Sequence, residues 1–117
     1  MRNRIYGLET EFGCMPPDSD PFLSPDFISV KTKDTVFYRD GLGMVDIHYR
    51  GRDEPPGNGG FLFNGGRVYI DMGHVEYATP ECRGLFDLVA SDRAGEVMVQ
   101  RALDQRGRAE DAAFFKN

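Results

Sequence analysis

The feature that most constrains the fold is a short Asn-Gly turn between two runs of strand-forming residues. Asn64 and Gly65 separate residues 61–63 from residues 67–72, and both runs are rich in aromatic and branched apolar residues. An Asn-Gly pair in this setting is the strongest short-range signal for a hairpin, because both residues tolerate the positive φ angles of a tight turn. The sequence therefore predicts an antiparallel sheet that includes this hairpin.

The second run alternates apolar and polar residues, which predicts a strand with one buried and one polar face. The predicted buried side consists of Val68, Ile70 and Met72. Arg67, Tyr69 and Asp71 then project together from the other face. A cation, a phenol and a carboxylate in a row suit phosphate binding and acid–base chemistry, and they equally suit cross-strand ion pairs on an ordinary sheet surface.

Residues 4–13 show the same period of two and predict a strand with two carboxylates on one face. Its opposite face is expected to carry Tyr6, Leu8, Thr10 and Phe12. Glu9 and Glu11 could bind a hard cation such as Mg²⁺, which prefers oxygen ligands. The alternative is a solvated strand face, which is the usual place for charged side chains.

A short strand is predicted over residues 75–79, and it adds a carboxylate and a hydroxyl, Glu76 and Thr79. Taken alone, Glu76 fits a surface position better than a ligand position. His74 is interpreted as a structural hydrogen-bonding residue and His48 as a surface residue, because neither has the neighbours that catalysis by histidine requires.

The remaining sequence predicts a loop-rich insertion followed by a helix and a strand. Residues 14–60 hold six of the seven prolines, and within them only residues 35–39 have strand-like composition. Residues 85–106 carry apolar side chains at helical spacing, with Gly107 as the expected C-cap. Residues 112–117 again have strand-like composition.

Composition narrows the class of protein. The net charge of −5 argues against a binder of duplex nucleic acid, which needs clustered cations. No apolar run is long enough for a membrane span, and the N-terminus lacks a signal-peptide core, so we expect a cytoplasmic protein with no membrane partner. Cys14 and Cys82 form neither a metal-binding pair nor a disulfide framework and are expected to be free thiols.

Five blocks, in this order, resemble the N-terminal part of the Pup ligase and Pup deamidase/depupylase family, whose members are related to glutamine synthetase and the carboxylate-amine ligases. They are residues 7–13 (GLETEFG), 64–71 (NGGRVYID), 76–82 (EYATPEC), 92–96 (DRAGE) and 115–117 (FKN). The resemblance implies an α+β fold, in which an antiparallel sheet with a packed helix forms the N-terminal portion of a glutamine synthetase-like ligase fold. It also implies that a further segment or chain completes that fold.

The resemblance implies a Mg²⁺ site and an ATP site on the polar face. Glu9, Tyr69 and Glu76 correspond to the family's metal-binding positions, and Glu11 is expected to support Glu9. In the nucleotide site, Arg67 and Thr79 correspond to residues that contact ATP.

The aspartate that the family requires for catalysis corresponds to Asp71. The implied activity is phosphorylation of the C-terminal side-chain carboxylate of a Pup-like modifier, followed by its attachment to a lysine of a target protein. The alternative within the family is deamidation or depupylation by hydrolysis with the same residues.

The resemblance also predicts how the chain is organised. Residues 1–117 correspond to the N-terminal part of a single catalytic domain, with residues 14–60 as its variable, loop-rich insertion. The expected partner is the C-terminal remainder of the enzyme, in the same chain or in a separate one. A further alternative is the N-terminal chain of a split or autocleaved two-chain member, inactive alone.

Overall fold

Within residues 4–16, 18, 20, 22–105 and 113–116, which a computed structural model describes, the chain forms a six-stranded antiparallel sheet and two α-helices. The strands are β1 (Glu9–Met15), β2 (Gly43–Val45), β3 (Gly59–Leu62), β4 (Arg67–Asp71), β5 (His74–Ala78) and β6 (Ala113–Lys116). The helices are α1 (Pro25–Asp34), which continues into a π-helical turn at Thr35–Arg39, and α2 (Leu85–Asp104). The strands lie in the order β2-β3-β4-β5-β1-β6, so the predicted fold class is confirmed.

The predicted hairpin is confirmed as β3 and β4. Gly65 has a φ angle of 88°, and the Asn64 side chain accepts a hydrogen bond from the backbone N–H of Gly66 at 2.9 Å. Gly65 thus takes the positive φ angle expected of the Asn-Gly pair, whereas Asn64 contributes to the turn through its side chain and not through a positive φ angle.

A second tight hairpin joins β4 to β5 and corrects the prediction for Met72. Met72 and Gly73 have φ angles of 45° and 87°, and they lie between the paired residues Asp71 and His74. Two positive φ angles are typical of the type I′ turn, whose twist matches that of the flanking strands. Met72 is therefore at the tip of a turn and 93% exposed, not on the buried side of a strand.

The core lies between the helices and one face of the sheet. It consists of Phe12, Val36, Phe37, Leu62, Val68, Val75, Tyr77, Val99 and Ala102. Alternation along the strands sends the polar side chains to the opposite face, called the polar face below. The polar face carries Glu9, Glu11, Arg67, Tyr69, Asp71, His74 and Glu76.

The prediction of a loop-rich insertion over residues 14–60 is wrong for residues 14–15, 25–34, 43–45 and 59–60, which belong to strands or to α1. Pro25 begins α1, where proline fits because the first turn of a helix needs no backbone N–H donor. The predicted strand at 35–39 is instead a continuation of the helix, because Val36 and Phe37 reach the core from that conformation. Residues 46–58 contain neither helix nor strand.

The predicted helix and final strand are confirmed. The helix predicted over 85–106 is α2, and the strand predicted over 112–117 is β6. The expected C-cap at Gly107 lies outside the described residues. No described helix combines the length and the apolar composition that crossing a membrane would require.

Gly95 lets α2 approach the sheet, and its replacement tests the packing. A Cβ atom at Gly95 would overlap the ring of Tyr77, which is fully buried. At an exposed helix position Gly→Ala stabilises by about 1 kcal/mol. We expect Gly95→Ala to destabilise instead, by about 1 to 3 kcal/mol, because overpacking displaces the ring or the helix.

Urea unfolding of the Gly95→Ala variant measures this difference. Gly7→Ala is the control, since a Cβ there meets no atom within 4 Å. A Gly95→Ala variant that is as stable as the wild-type chain would contradict the close packing of α2 on Tyr77.

Candidate active site

The register of β5 with its two neighbours brings the polar side chains together. Glu76 pairs with Glu11 of β1 on one side and with Tyr69 of β4 on the other. Residues paired across antiparallel strands place their Cβ atoms about 5 Å apart on the same face. The three strands therefore present adjacent oxygen-bearing side chains without any contribution from a loop.

The Tyr69 hydroxyl lies between two carboxylates. Its oxygen is 2.8 Å from Oε1 of Glu9 and 2.5 Å from Oε2 of Glu76. A phenol has one proton to donate, so it can satisfy one ionised carboxylate at a time. Three oxygen atoms therefore meet with only the phenol proton between them. A further proton or a bound cation would stabilise this group.

Burial and charge shift the pKa values of this group. Burial, followed by the hydrogen bonds and negative charges of Glu76 and Glu9, raises the pKa of Tyr69 and keeps the phenol protonated. Burial also raises the pKa of Glu76, and the charges of Asp71, Glu9 and Glu11 act in the same direction. The hydrogen bond from Tyr69 opposes that rise without cancelling it.

Asp71, the predicted catalytic residue, and His74 lie at the turn end of the polar face. The ring Nδ1 of His74 contacts Oε1 of Glu11, which agrees with the structural role predicted for this histidine. Asp71 pairs with His74 in the register, at the last position of β4, and its side chain is exposed. Asp71 is thus on the same face as Tyr69 but open to an incoming group.

Arg67 is held over aromatic rings at the other end of the face. Its guanidinium carbon is 4.3 Å from the ring centroid of Tyr69 and 5.8 Å from that of Phe61, and Nη2 is 3.3 Å from Oε2 of Glu54. The buried Nε has no hydrogen-bond partner among the described residues. Because the one hydrogen bond to Glu54 uses a single N–H of the two terminal nitrogens, donor capacity at those nitrogens remains for another acceptor.

Phe61 and Glu54 were missed by sequence reasoning. Phe61 pairs with Arg67 in the β3–β4 register, so the hairpin prediction could have found it. Glu54 lies in the irregular segment 46–58, where no periodicity indicates which way a side chain points.

Thr79 is placed at the end of β5, against the residue that precedes β1. Its hydroxyl oxygen accepts a hydrogen bond from the backbone N–H of Leu8 at 3.0 Å, and its own N–H donates to the Leu8 carbonyl at 2.9 Å. The hydroxyl proton is not used by either of these bonds. Cys14 and Cys82 are both buried, and neither is part of a disulfide.

The donor set on the polar face fits a hard cation in its chemistry. Glu9, Glu76 and Tyr69 supply oxygen atoms, which Mg²⁺ binds in preference to nitrogen or sulfur. Among the residues that the structure describes, no group of three or more His, Cys, Asp or Glu side chains is placed so that it could hold a metal ion. The partial set suits Mg²⁺, which commonly takes one or two carboxylates and fills its remaining positions with water and phosphate oxygens.

Comparison with known proteins decides the family. The family model described as Pup-ligase protein matches residues 4–117. The chain belongs to the Pup-ligase family. The Pup–protein ligase of Kineococcus radiotolerans is 37% identical over 126 aligned residues, which cover 100% of this chain and 24% of the relative. That of Paenarthrobacter aurescens is 39% identical over 108 residues, covering 90% of this chain and 20% of the relative.

A solved structure shows the same fold in this family. The crystal structure of the complex between Prokaryotic Ubiquitin-like Protein Pup and its ligase PafA matches 98% of this chain with a TM-score of 0.70 and 29% identity. The match covers 22% of that chain. This member of the Pup-ligase family therefore spans about a quarter or less of the length of the relatives that it matches.

The raised pKa of Glu76 predicts how stability depends on pH in the absence of metal. A carboxyl group whose pKa is raised in the folded state favours the protonated form, so its contribution to folding is largest in acid. That contribution falls as the pH rises above about 4.3, where an unperturbed glutamate titrates. We expect Glu76→Gln to remove this decline, so that the variant gains stability relative to wild type between acid and neutral pH.

Urea unfolding of the chain and of Glu76→Gln across this pH range, with a chelator present, measures the effect. Glu81→Gln removes an exposed carboxylate and serves as the control. Parallel pH profiles for wild type and Glu76→Gln would contradict the assigned electrostatics.

Proposed function

We propose that this member of the Pup-ligase family contributes the metal and nucleotide face of an ATP- and Mg²⁺-dependent carboxylate–amine ligase. The observation that carries the proposal is the meeting of Glu9, Tyr69 and Glu76 oxygen atoms on one sheet face. In the complete enzyme the modifier's C-terminal side-chain carboxylate is phosphorylated and then joined to a lysine of a target protein. The names of the two Pup–protein ligases above favour ligation over the hydrolytic alternative.

Glu9, Glu76 and Tyr69 would hold Mg²⁺, with Glu11 beside them as a supporting carboxylate. When bound, Mg²⁺ neutralises the charge of the ATP phosphates during transfer of the γ-phosphoryl group. The protein's own contribution is to keep these oxygen atoms on a rigid sheet, so that little rearrangement is needed on binding. The Tyr69 hydroxyl lies between the two carboxylates and orients them through its contacts with both.

Arg67 on the polar face and Thr79 at the end of β5 would bind ATP. The guanidinium of Arg67 suits a phosphate oxygen because it is fixed by the Tyr69 ring and uses one of its five N–H donors on Glu54, which leaves other N–H donors for a ligand. The Thr79 hydroxyl accepts from Leu8 and still has its own proton to donate.

Asp71 would act as the general base. The neutral lysine nitrogen attacks the carbonyl carbon of the acyl phosphate, an isopeptide bond forms, and inorganic phosphate leaves. The proton lost by the amine passes to the Asp71 carboxylate, which is exposed at the end of β4. Its exposure gives an incoming lysine a route that the more buried Glu76 does not offer.

The proposed partners are the remainder of the enzyme, a Pup-like modifier and target-protein lysines, and the proposed setting is the cytoplasm. Neither a nucleic acid nor a membrane is part of this proposal. Residues 1–117 would form the N-terminal part of one catalytic domain.

Replacement of Asp71 tests the base. In the complete enzyme assembly that contains this chain, we expect Asp71→Asn to reduce the rate of modifier conjugation by about 10² to 10⁴-fold, which is the usual contribution of general base catalysis. ATP binding should change little, because Asp71 is not among the proposed ligands. Gel-based conjugation assays and nucleotide titration measure the two quantities.

The control for this experiment is Glu81→Gln, an exposed carboxylate outside the polar face. Full conjugation activity in Asp71→Asn would remove this residue from the mechanism.

Replacement of Glu9 and Glu76 tests the metal assignment separately. We expect Glu9→Gln combined with Glu76→Gln to abolish Mg²⁺-dependent ATP binding in the same assembly, because both side-chain carboxylates of the site are lost. Isothermal titration with and without Mg²⁺ measures the difference. Unchanged Mg²⁺ dependence in the double variant would rule these carboxylates out as ligands.

A further inference from the structure

We propose that Asp92 of α2 is a positioning residue for the polar face. Asp92 binds the hydroxyl of Thr10 and so holds β1 in the position that keeps Glu9 within hydrogen-bond distance of Tyr69. The proposal concerns the opposite side of the sheet from the proposed site, and none of its contacts involves a proposed ligand directly.

The first observation is the contact between helix and strand. The Thr10 hydroxyl donates a hydrogen bond to Oδ1 of Asp92 at 2.5 Å, and Thr10 is only 2% exposed. Thr10 stands between Glu9 and Glu11 in β1, and alternation places its side chain on the face opposite to theirs. Any displacement of the backbone at Thr10 therefore moves both flanking carboxylates.

The second observation is that the same carboxylate also holds the edge strand. Lys116 of β6 donates a hydrogen bond from Nζ to Oδ2 of Asp92 at 2.5 Å. Burial would raise the pKa of Asp92, but the hydrogen bonds from Lys116 and Thr10 outweigh it and keep the pKa below its ordinary value. Asp92 is thus an ionised group that ties α2 to two adjacent strands.

The third observation is a close contact one helical turn further along α2. Gly95 touches the ring of Tyr77, and Tyr77 is the cross-strand partner of Thr10. The helix therefore contacts β1 and β5 at paired positions. On the other face of the sheet, the residues next to this pair are Glu9, Glu11 and Glu76.

These contacts explain how β1 keeps its carboxylates in place. A glycine fixes the distance of α2 from β5, and a charge-assisted hydrogen bond fixes β1 to the same helix. A shift of β1 of about 1 Å would lengthen the Glu9–Tyr69 bond beyond the range in which such bonds are effective. The consequence for metal binding depends on the proposed function, whereas the consequence for the Tyr69 hydrogen bonds does not.

Thr10→Val removes the hydroxyl while keeping the shape of the side chain, and Asp92→Ala removes its acceptor. Thr10→Ser restores a hydroxyl and serves as the rescue variant. Asp87→Ala removes an exposed carboxylate from the same helix and serves as the control. The double variant Thr10→Val with Asp92→Ala tests whether the two residues act through one contact.

The readout at the sheet is the ¹³Cζ chemical shift of Tyr69 in the chain labelled at tyrosine, recorded at pH 7 with a chelator and assigned with Tyr69→Phe. We expect Thr10→Val and Asp92→Ala to shift this resonance, and the double variant to shift it no further than the larger of the two. Thr10→Ser and Asp87→Ala should leave it at the wild-type position. Urea unfolding accompanies each variant, so that loss of stability is separated from loss of the Tyr69 hydrogen bond.

The second readout is the Kd for Mn²⁺, measured by electron paramagnetic resonance. We expect Thr10→Val and Asp92→Ala to raise this Kd about 10-fold, which is at the lower end of what residues behind metal ligands contribute. If the wild-type chain binds no Mn²⁺, the metal assignment fails while the Tyr69 resonance still decides the positioning role.

A Tyr69 resonance that stays at its wild-type position in folded Thr10→Val and Asp92→Ala overturns the proposal, whatever their stabilities. If Thr10→Val does not fold, Asp92→Ala and Thr10→Ser decide the question. A Tyr69 resonance at its wild-type position in Asp92→Ala would then overturn the proposal in the same way.

Discussion

The contacts of the Tyr69 hydroxyl with two carboxylates depend on the register of three strands, and the arrangement of the polar face depends on those contacts. Glu9 lies on β1, Tyr69 on β4 and Glu76 on the strand between them. A slip of one residue in either pairing would turn one strand's polar side chains toward the core. The Met72-Gly73 turn restricts the β4–β5 register, because a two-residue loop is too short to allow an alternative pairing.

The other face of the sheet explains why this register is stable. Val68, Val75 and Tyr77 are fully buried beneath the helices, so a slipped strand would expose apolar area and bury charge at the same time. Gly95 and Asp92 add specific contacts to this general driving force. The fold thus has apolar packing on one face of the sheet and oxygen-bearing polar side chains on the other.

Much of this arrangement could be predicted from the sequence where the pattern is local. The Asn-Gly turn, the period of two in β1 and β4, and the helical spacing of α2 each reflect short-range geometry. The grouping of Arg67, Tyr69 and Asp71 on one face follows from alternation alone. The pairing of β1 with β5 could not be read locally, because it joins residues far apart in the sequence.

The failures also have physical causes. Residues 35–39 have strand-like composition, but burial of Val36 and Phe37 beneath the sheet outweighs that weak preference. Met72 continued an apolar alternation that the hairpin turn interrupts. Asp92 lies in one of the five blocks that resemble the family, but the sequence does not indicate its contacts, since a carboxylate on an amphipathic helix is usually solvated. Its role depends on β1 and β6 meeting beneath α2, which only the folded structure reveals.

The central claim is that the oxygen atoms of Glu9, Tyr69 and Glu76 form the protein part of a divalent-cation site. The most direct measurement is a crystal structure of the chain soaked with Mn²⁺, with anomalous diffraction data collected to locate the metal. The account predicts an anomalous peak within coordination distance of the Glu9 and Glu76 carboxylates and adjacent to the Tyr69 hydroxyl. Occupied Mn²⁺ positions elsewhere, with no peak between these two carboxylates, would contradict it.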